Sequence, residues 1–149
     1  MKILAPLKSA DEVLPLAEAG AGEFYCGVTP PGWEAAFGQA SVHRRSARSA
    51  GVSGLDELRQ IVALAGDAPL FATLNAASYP AGAIPRLVEF GRILVEEANV
   101  AALIVAELEL ILALGDAGLA GRVHVSSLAT CRNPGAAAFY RSLGVSRVI

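Results

Sequence analysis

Six short β-like runs, at residues 2–5, 23–26, 70–74, 101–105, 123–126 and 147–149, alternate with helix-like stretches over the whole chain. That alternation limits the fold more than any other feature. The runs are apolar on both faces, which predicts a parallel sheet covered by helices rather than an antiparallel sheet with one wet face. Two architectures satisfy the pattern. A chain of 149 residues has the ordinary size of an open, doubly wound sheet, whereas a complete (β/α)8 barrel takes about 250 residues. The ending argues the other way, because the run at 147–149 follows its crossover helix and nothing covers it. The expected fold is therefore an α/β chain with about six of the eight parallel strands of a TIM-type barrel. It reads as one domain, 1–149, forming the N-terminal portion of that barrel and ending in strand six. An open, doubly wound parallel sheet is the alternative.

Helix signals support these positions. Ser9 or Asp11 caps a helix over 11–19 that ends at Gly20. Pro15 is awkward within it, so this helix starts late or kinks. Ser53 opens a helix through residue 65, with Asp56 three residues on as an imperfect capping box. Asn133 as N-cap and Pro134 at the first helical position open the last helix. Gly20 and Gly22 end a helix and precede a strand, the reverse of a dinucleotide-binding loop, and Gly118 and Gly121 repeat that arrangement.

Hydrophobic residues make up 54% of the chain and charged residues 17%, which excludes disorder by composition. The apolar stretch 100–111 is broken by Glu107 and Glu109 and is too short for a membrane span. Met1 leads directly into the first strand without a signal-peptide pattern, so the expected location is the cytoplasm. Cys26 and Cys131 have no second cysteine nearby and read as free thiols. With a net charge of −2, any anion site has to be local.

In parallel α/β folds chemistry collects where strands end. There the chain carries Tyr25-Cys26-Gly27, Thr73-Leu74-Asn75, Ala106-Glu107 and Ser126-Ser127. The period of two puts Thr73 and Asn75 on one face, and His124 on a face with Ser126, so the four can converge. Asn75, His124, Ser126 and Glu107 are the candidates for chemistry. A serine hydrolase needs a carboxylate to orient its histidine; none is obviously placed in the sequence to orient His124, and no Gly-x-Ser-x-Gly elbow is present. No His-Glu-x-x-His or cysteine cluster is present to hold a metal. The loop after the second strand carries His43, Arg44, Arg45 and Arg48, a local basic run suited to a carboxylate or phosphate. Trp33 and Phe37, at helical spacing, pack that loop down.

The stretches "EFYCGVTPPGWEAAFG", "RRSARSAGVSGLDEL", "FATLNAASY", "AALIVAELELI" and "VHVSSLATCRNPGAAAFYRSLGVSRVI", in this order and spacing, resemble the collagenase-like peptidases, the thirty-second family of unassigned peptidases. The resemblance covers the N-terminal part of that family's eight-stranded barrel. It implies a peptidase, nominally hydrolysing peptide bonds, although similar proteins act in oxygen-independent hydroxylation of RNA bases or of ubiquinone precursors. The family-like positions are Tyr25, Gly27, Arg44, Arg45, Thr73, Asn75, His124, Ser126 and Asn133, of which Tyr25, Arg44, Arg45, Thr73 and Asn133 are expected to contact substrate. His43 departs from an expected asparagine, Ala101 and Glu107 from aspartates, and Cys131 from a small or β-branched residue. Full-length relatives carry an Arg-Glu pair and cysteines for an iron-sulfur cluster beyond the point matching Ile149, so no cofactor is expected within this chain. The expected substrate is a peptide, a small molecule or RNA, and the open barrel edges are expected to pair with a partner subunit or another copy. Alone, the chain is expected to be inactive; a non-catalytic binding or scaffold module is the alternative.

Overall fold

A computed structural model describes residues 2–44 and 51–149. Its strands are β1 (Ile3–Pro6), β2 (Ala21–Gly27), β3 (Leu70–Leu74), β4 (Ala102–Val105), β5 (Val123–Val125) and β6 (Arg147–Val148). The helices are α1 (Val13–Glu18), α2 (Trp33–Phe37), α3 (Leu55–Ala65), α4 (Ala83–Glu96), α5 (Leu108–Asp116) and α6 (Pro134–Ser142). All strand pairs are parallel, and the sheet order is the chain order. A doubly wound sheet reverses its order at a switch point, so this order excludes that alternative.

The sheet is also curled. If it were flat, β2 and β6 would lie about 19 Å apart at the usual strand spacing, further than a glutamate and an arginine reach together. Yet Arg147 Nη1 on β6 donates to Glu23 Oε2 on β2 at 2.8 Å. The fold is thus an incomplete barrel of six parallel strands. Its outer strands, β1 and β6, have one neighbour each among the described residues, and Ile3, Val148 and Ile149 are exposed there.

Strand alternation divides the core in two. Phe24, Leu70, Leu74, Leu103, Val123 and Val125 face outward into the larger cluster, which includes Leu58 and Ile61 of α3, Leu87 and Leu94 of α4, and Leu110 and Leu114 of α5. Each such fully buried side chain contributes on the order of 2 kcal/mol. The helix α4 comes close to β4 at Gly91, where a Cβ would lie 2.9 Å from Leu103 Cδ1. The inner face is smaller, with Phe71, Ala102 and Ile104 joined by Leu4 and Tyr25. Arg147 lies over the Phe71 ring, 5.9 Å from its centroid, and His124 meets the same ring edge-on at 4.6 Å.

Local chemistry sets the helix ends. A 3₁₀ turn at Ala10–Glu12 delays the start of α1 to Val13, which brings Pro15 into the first turn, where an N–H has no intrahelical acceptor. The late start removes the conflict. At α3 the partner of Ser53 is Glu57, not Asp56. Its Oε2 accepts from both Ser53 N and Oγ at 2.7 Å, and these bonds hold the Glu57 carboxyl below its ordinary pKa. Asp56 instead pairs with Arg59 at 2.9 Å, because the helix cap is Gly54, one residue later than expected. Asn133 caps α6 by accepting from Ala136 N at 2.8 Å, with Pro134 following it.

Removing Arg147 leaves the Glu23 carboxylate, whose side chain is 10% exposed, without its partner. Arg147→Ala is expected to lower unfolding stability in urea by about 2 kcal/mol, with most of the loss recovered in the Glu23→Leu/Arg147→Met double variant. Equal urea midpoints for wild type and Arg147→Ala would contradict the role assigned to this pair.

Candidate functional site

The inner face opens at the C-terminal ends of the strands into a cleft of about 200 Å³. Tyr25, Gly27 and Thr73, on β2 and β3, line it, with Pro6 at the end of β1 and Leu7 just after it on one side. His43, Arg44 and Asn75 form a second wall, and Ser126, Ser127 and Leu128 close the far side. Tyr25, Thr73, Asn75, Ser126 and Ser127 of the sequence-derived polar set therefore converge, drawn together from strand ends that are distant in the chain.

The wall carrying Arg44 is pinned by several bonds. Arg44 N donates to Asn75 Oδ1 at 3.2 Å, Ala76 N to Val42 O at 3.2 Å, and the Tyr79 hydroxyl to Val42 O at 3.0 Å. Burial pushes the Tyr79 phenol well above its ordinary pKa, so it stays protonated as a donor. Trp33 is buried, donates from Nε1 to Ala40 O at 2.6 Å, and meets Tyr79 edge-on at 6.5 Å. Trp33 and Phe37 thus pack the loop down from α2, as their spacing predicts, with ring centroids 4.5 Å apart. The Arg44 side chain is exposed at the lip, and its guanidinium has no hydrogen-bond or ion-pair partner among the described residues. Arg45 and Arg48 lie outside the described residues.

Other polar groups at the cleft are partly committed. Thr73 Oγ1 donates to Cys26 O at 3.2 Å, and Ser126 Oγ accepts from Leu128 N at 3.3 Å, capping a 3₁₀ turn at Ser127–Ala129. Thr130 ends that turn in the left-handed region, at φ 58°, which is unusual for a β-branched residue. The α6 helix is tied beneath it by the Tyr140 hydroxyl, which donates to Ala129 O at 3.0 Å.

Three expected site residues are placed elsewhere. Glu107 accepts from Glu109 N at 3.0 Å and Leu110 N at 2.8 Å, so its carboxylate serves as the N-cap of α5. Asn133 is likewise engaged as the cap of α6 and does not line the cleft. His124 sits one step below Ser126 on the inner face, buried against Phe71, with Nδ1 lacking a hydrogen-bond partner. Burial, and then the charge of Arg147, lower its pKa against an opposing pull from Glu23. The Glu23–Arg147 pair was not among the expected site residues. Only the period-two phase of β2 and β6, which sends both side chains inward, could have pointed to it.

The cysteines do not fit an iron-sulfur cluster. Cys26 faces the buried outer layer, where burial, reinforced by the charge of Glu57, pushes its thiol up to about 12. Among the described residues no group of three or more His, Cys, Asp or Glu side chains could hold a metal ion.

A buried neutral imidazole gives a pH signature. Its folded pKa lies below the unfolded value near 6.5, so the unfolded state takes up more protons as pH falls and stability is lost from about pH 6.5 downward. His124→Gln is expected to flatten the stability profile between pH 7 and pH 5, measured by denaturant midpoints. An unchanged slope over that interval would contradict the assignment.

Comparison with known proteins agrees with this architecture. No helix among the described residues is long and apolar enough to cross a membrane. The fold is similar to that of the U32 peptidase Mk0906, with a TM-score of 0.68 and 20% identity over 99% of this chain. This chain spans 57% of the length of that structure. It is also similar in fold to a protein named as a phosphonomutase from Burkholderia cenocepacia J2315, with a TM-score of 0.56 and 20% identity over 93% of this chain and 54% of that one. No curated protein matches the sequence. The model of Peptidase family U32 matches residues 8–149, and the chain belongs to that family.

Proposed function

We propose that this chain is the substrate-holding portion of a U32-family barrel and that its cleft binds the carboxylate of a peptide. The observation that carries the reading is the Arg44 guanidinium, unpartnered among the described residues and positioned by Asn75 at the lip of a hydroxyl-lined cleft. Arginine matches a carboxylate with two parallel N–H donors, and the Tyr25 and Ser127 side chains supply further polar contacts beside it. With a net charge of −2 there is no general attraction to a polyanion, which favours a peptide over the RNA that the family resemblance also implies.

The chain's part in this reading is binding. Peptide hydrolysis by a serine needs a base in hydrogen-bond contact with its hydroxyl, and Ser126 Oγ is instead engaged with Leu128 N while His124 lies deeper against Phe71. Bond cleavage, or the hydroxylation known for similar proteins, then requires groups that these residues do not supply. A scaffold without any ligand is the competing reading.

Calorimetric titration with acetyl-Ser-Asp-amide, whose one carboxylate is an aspartate side chain, separates the two. Arg44→Ala is expected to weaken binding on the order of 10- to 100-fold, the worth of a charge-assisted hydrogen bond, with Arg44→Lys in between. Equal affinity for wild type and Arg44→Ala, or no binding by either, would overturn the proposal.

A further inference from the structure

Resting on that anion-binding reading, we infer that the ligand is an extended peptide with an internal acidic residue, and that a bulky apolar neighbour of that residue occupies a second cavity across the Arg44 ridge. The second cavity, about 560 Å³, lies between the loop after β2 and the loop after β3, where Ala40, Ala76, Ala77, Tyr79 and Pro80 line it. His43 and Arg44 belong to both cavities, so the two meet along one wall. Arg44 therefore stands in the middle of a longer groove, not at its end.

Position and chemistry together set the ligand. A terminal carboxylate on Arg44 would leave one of the two cavities empty, whereas an aspartate or glutamate within a chain sends backbone in both directions. The smaller cavity, with Tyr25, Thr73, Asn75 and two serines, suits a small polar residue. Beside the shared His43 and Arg44 and the small Ser41 and Ser78, the larger cavity presents alanine methyls, a tyrosine and a proline, and suits an aromatic or large aliphatic side chain. The ridge is already held in place by the Val42 carbonyl, which accepts from Ala76 N and the Tyr79 hydroxyl, so little ordering accompanies binding.

The test compares acetyl-Ser-Asp-amide with acetyl-Ser-Asp-Phe-amide and acetyl-Phe-Asp-Ser-amide, covering both chain directions. One tripeptide is expected to bind on the order of 10-fold tighter than the dipeptide, as burial of an aromatic side chain allows. Ala77 is exposed at the second cavity, so Ala77→Trp fills the space without disturbing the core. It is expected to abolish the tripeptide's gain and leave the dipeptide affinity unchanged. Unchanged tripeptide affinity in Ala77→Trp, with the dipeptide still bound through Arg44, would overturn this inference while sparing the carboxylate reading. Failure of the dipeptide to bind would overturn both. Tighter binding of a ten-residue oligouridylate, with the same Arg44 dependence, would overturn the peptide class.

Discussion

The ion pair between Glu23 and Arg147 ties β2 to β6 across the inside of the sheet, and the geometry of everything above it follows from that chord. Parallel ladder hydrogen bonds fix which strands are neighbours, but they leave the curvature free to vary. A 2.8 Å contact across four strand spacings does not. It requires a curled sheet, and a curled sheet brings the ends of β2, β3 and β5 around one opening. The interior under that opening is small: Phe71, Ala102 and Ile104 fill it, with the Arg147 side chain over the Phe71 ring and the His124 imidazole against its edge. Charge and aromatic packing share this layer, while the outer layer is apolar, its aliphatic side chains joined by Phe24, Phe90 and Tyr140.

What the curl positions, the loops refine. The segment after β2 would be an irregular excursion if Trp33 and Phe37 did not anchor it from α2 and if Val42 and Arg44 did not accept and donate backbone bonds to the loop after β3. Those bonds convert two loops into a ridge with a cavity on each side. An arginine on such a ridge has lost mobility at its backbone while its guanidinium remains at the surface, a state well suited to gripping an anion. The same economy appears after β5, where Ser126 spends its hydroxyl on the turn that forms the opposite wall.

Most of the framework was legible because it depends on short-range patterns. Strand β3 at Leu70–Leu74 and the Asn133-Pro134 start of α6 are set by local residue types, and the structure has them where the sequence places them. The late start of α1 followed from Pro15 alone. Convergence of Thr73, Asn75 and Ser126 followed from the period of two and the polarity of parallel strands, whereas His124, the fourth residue of that set, lies one step deeper against Phe71. Other features were hidden because they depend on which side chain reaches a free backbone donor first. Glu107 stands at a strand end and reads as an active-site acid, but two unpaired N–H groups at the start of α5 claim it. Glu57 displaced Asp56 as the partner of Ser53 for the same kind of reason. The Glu23–Arg147 pair joins residues 124 positions apart, and no local pattern encodes a contact at that range.

The most direct test of the account is a chemical-shift titration of the uniformly ¹⁵N-labelled chain with acetyl-Ser-Asp-amide. A carboxylate held at the lip is expected to move the amide resonances of Gly27, Arg44, Asn75 and Ser126 to Leu128 together, with one shared dissociation constant and no response from the outer helices. Shifts confined to other surfaces, or the absence of saturable shifts at these amides, would contradict the claim that the curled sheet presents an anion-binding groove.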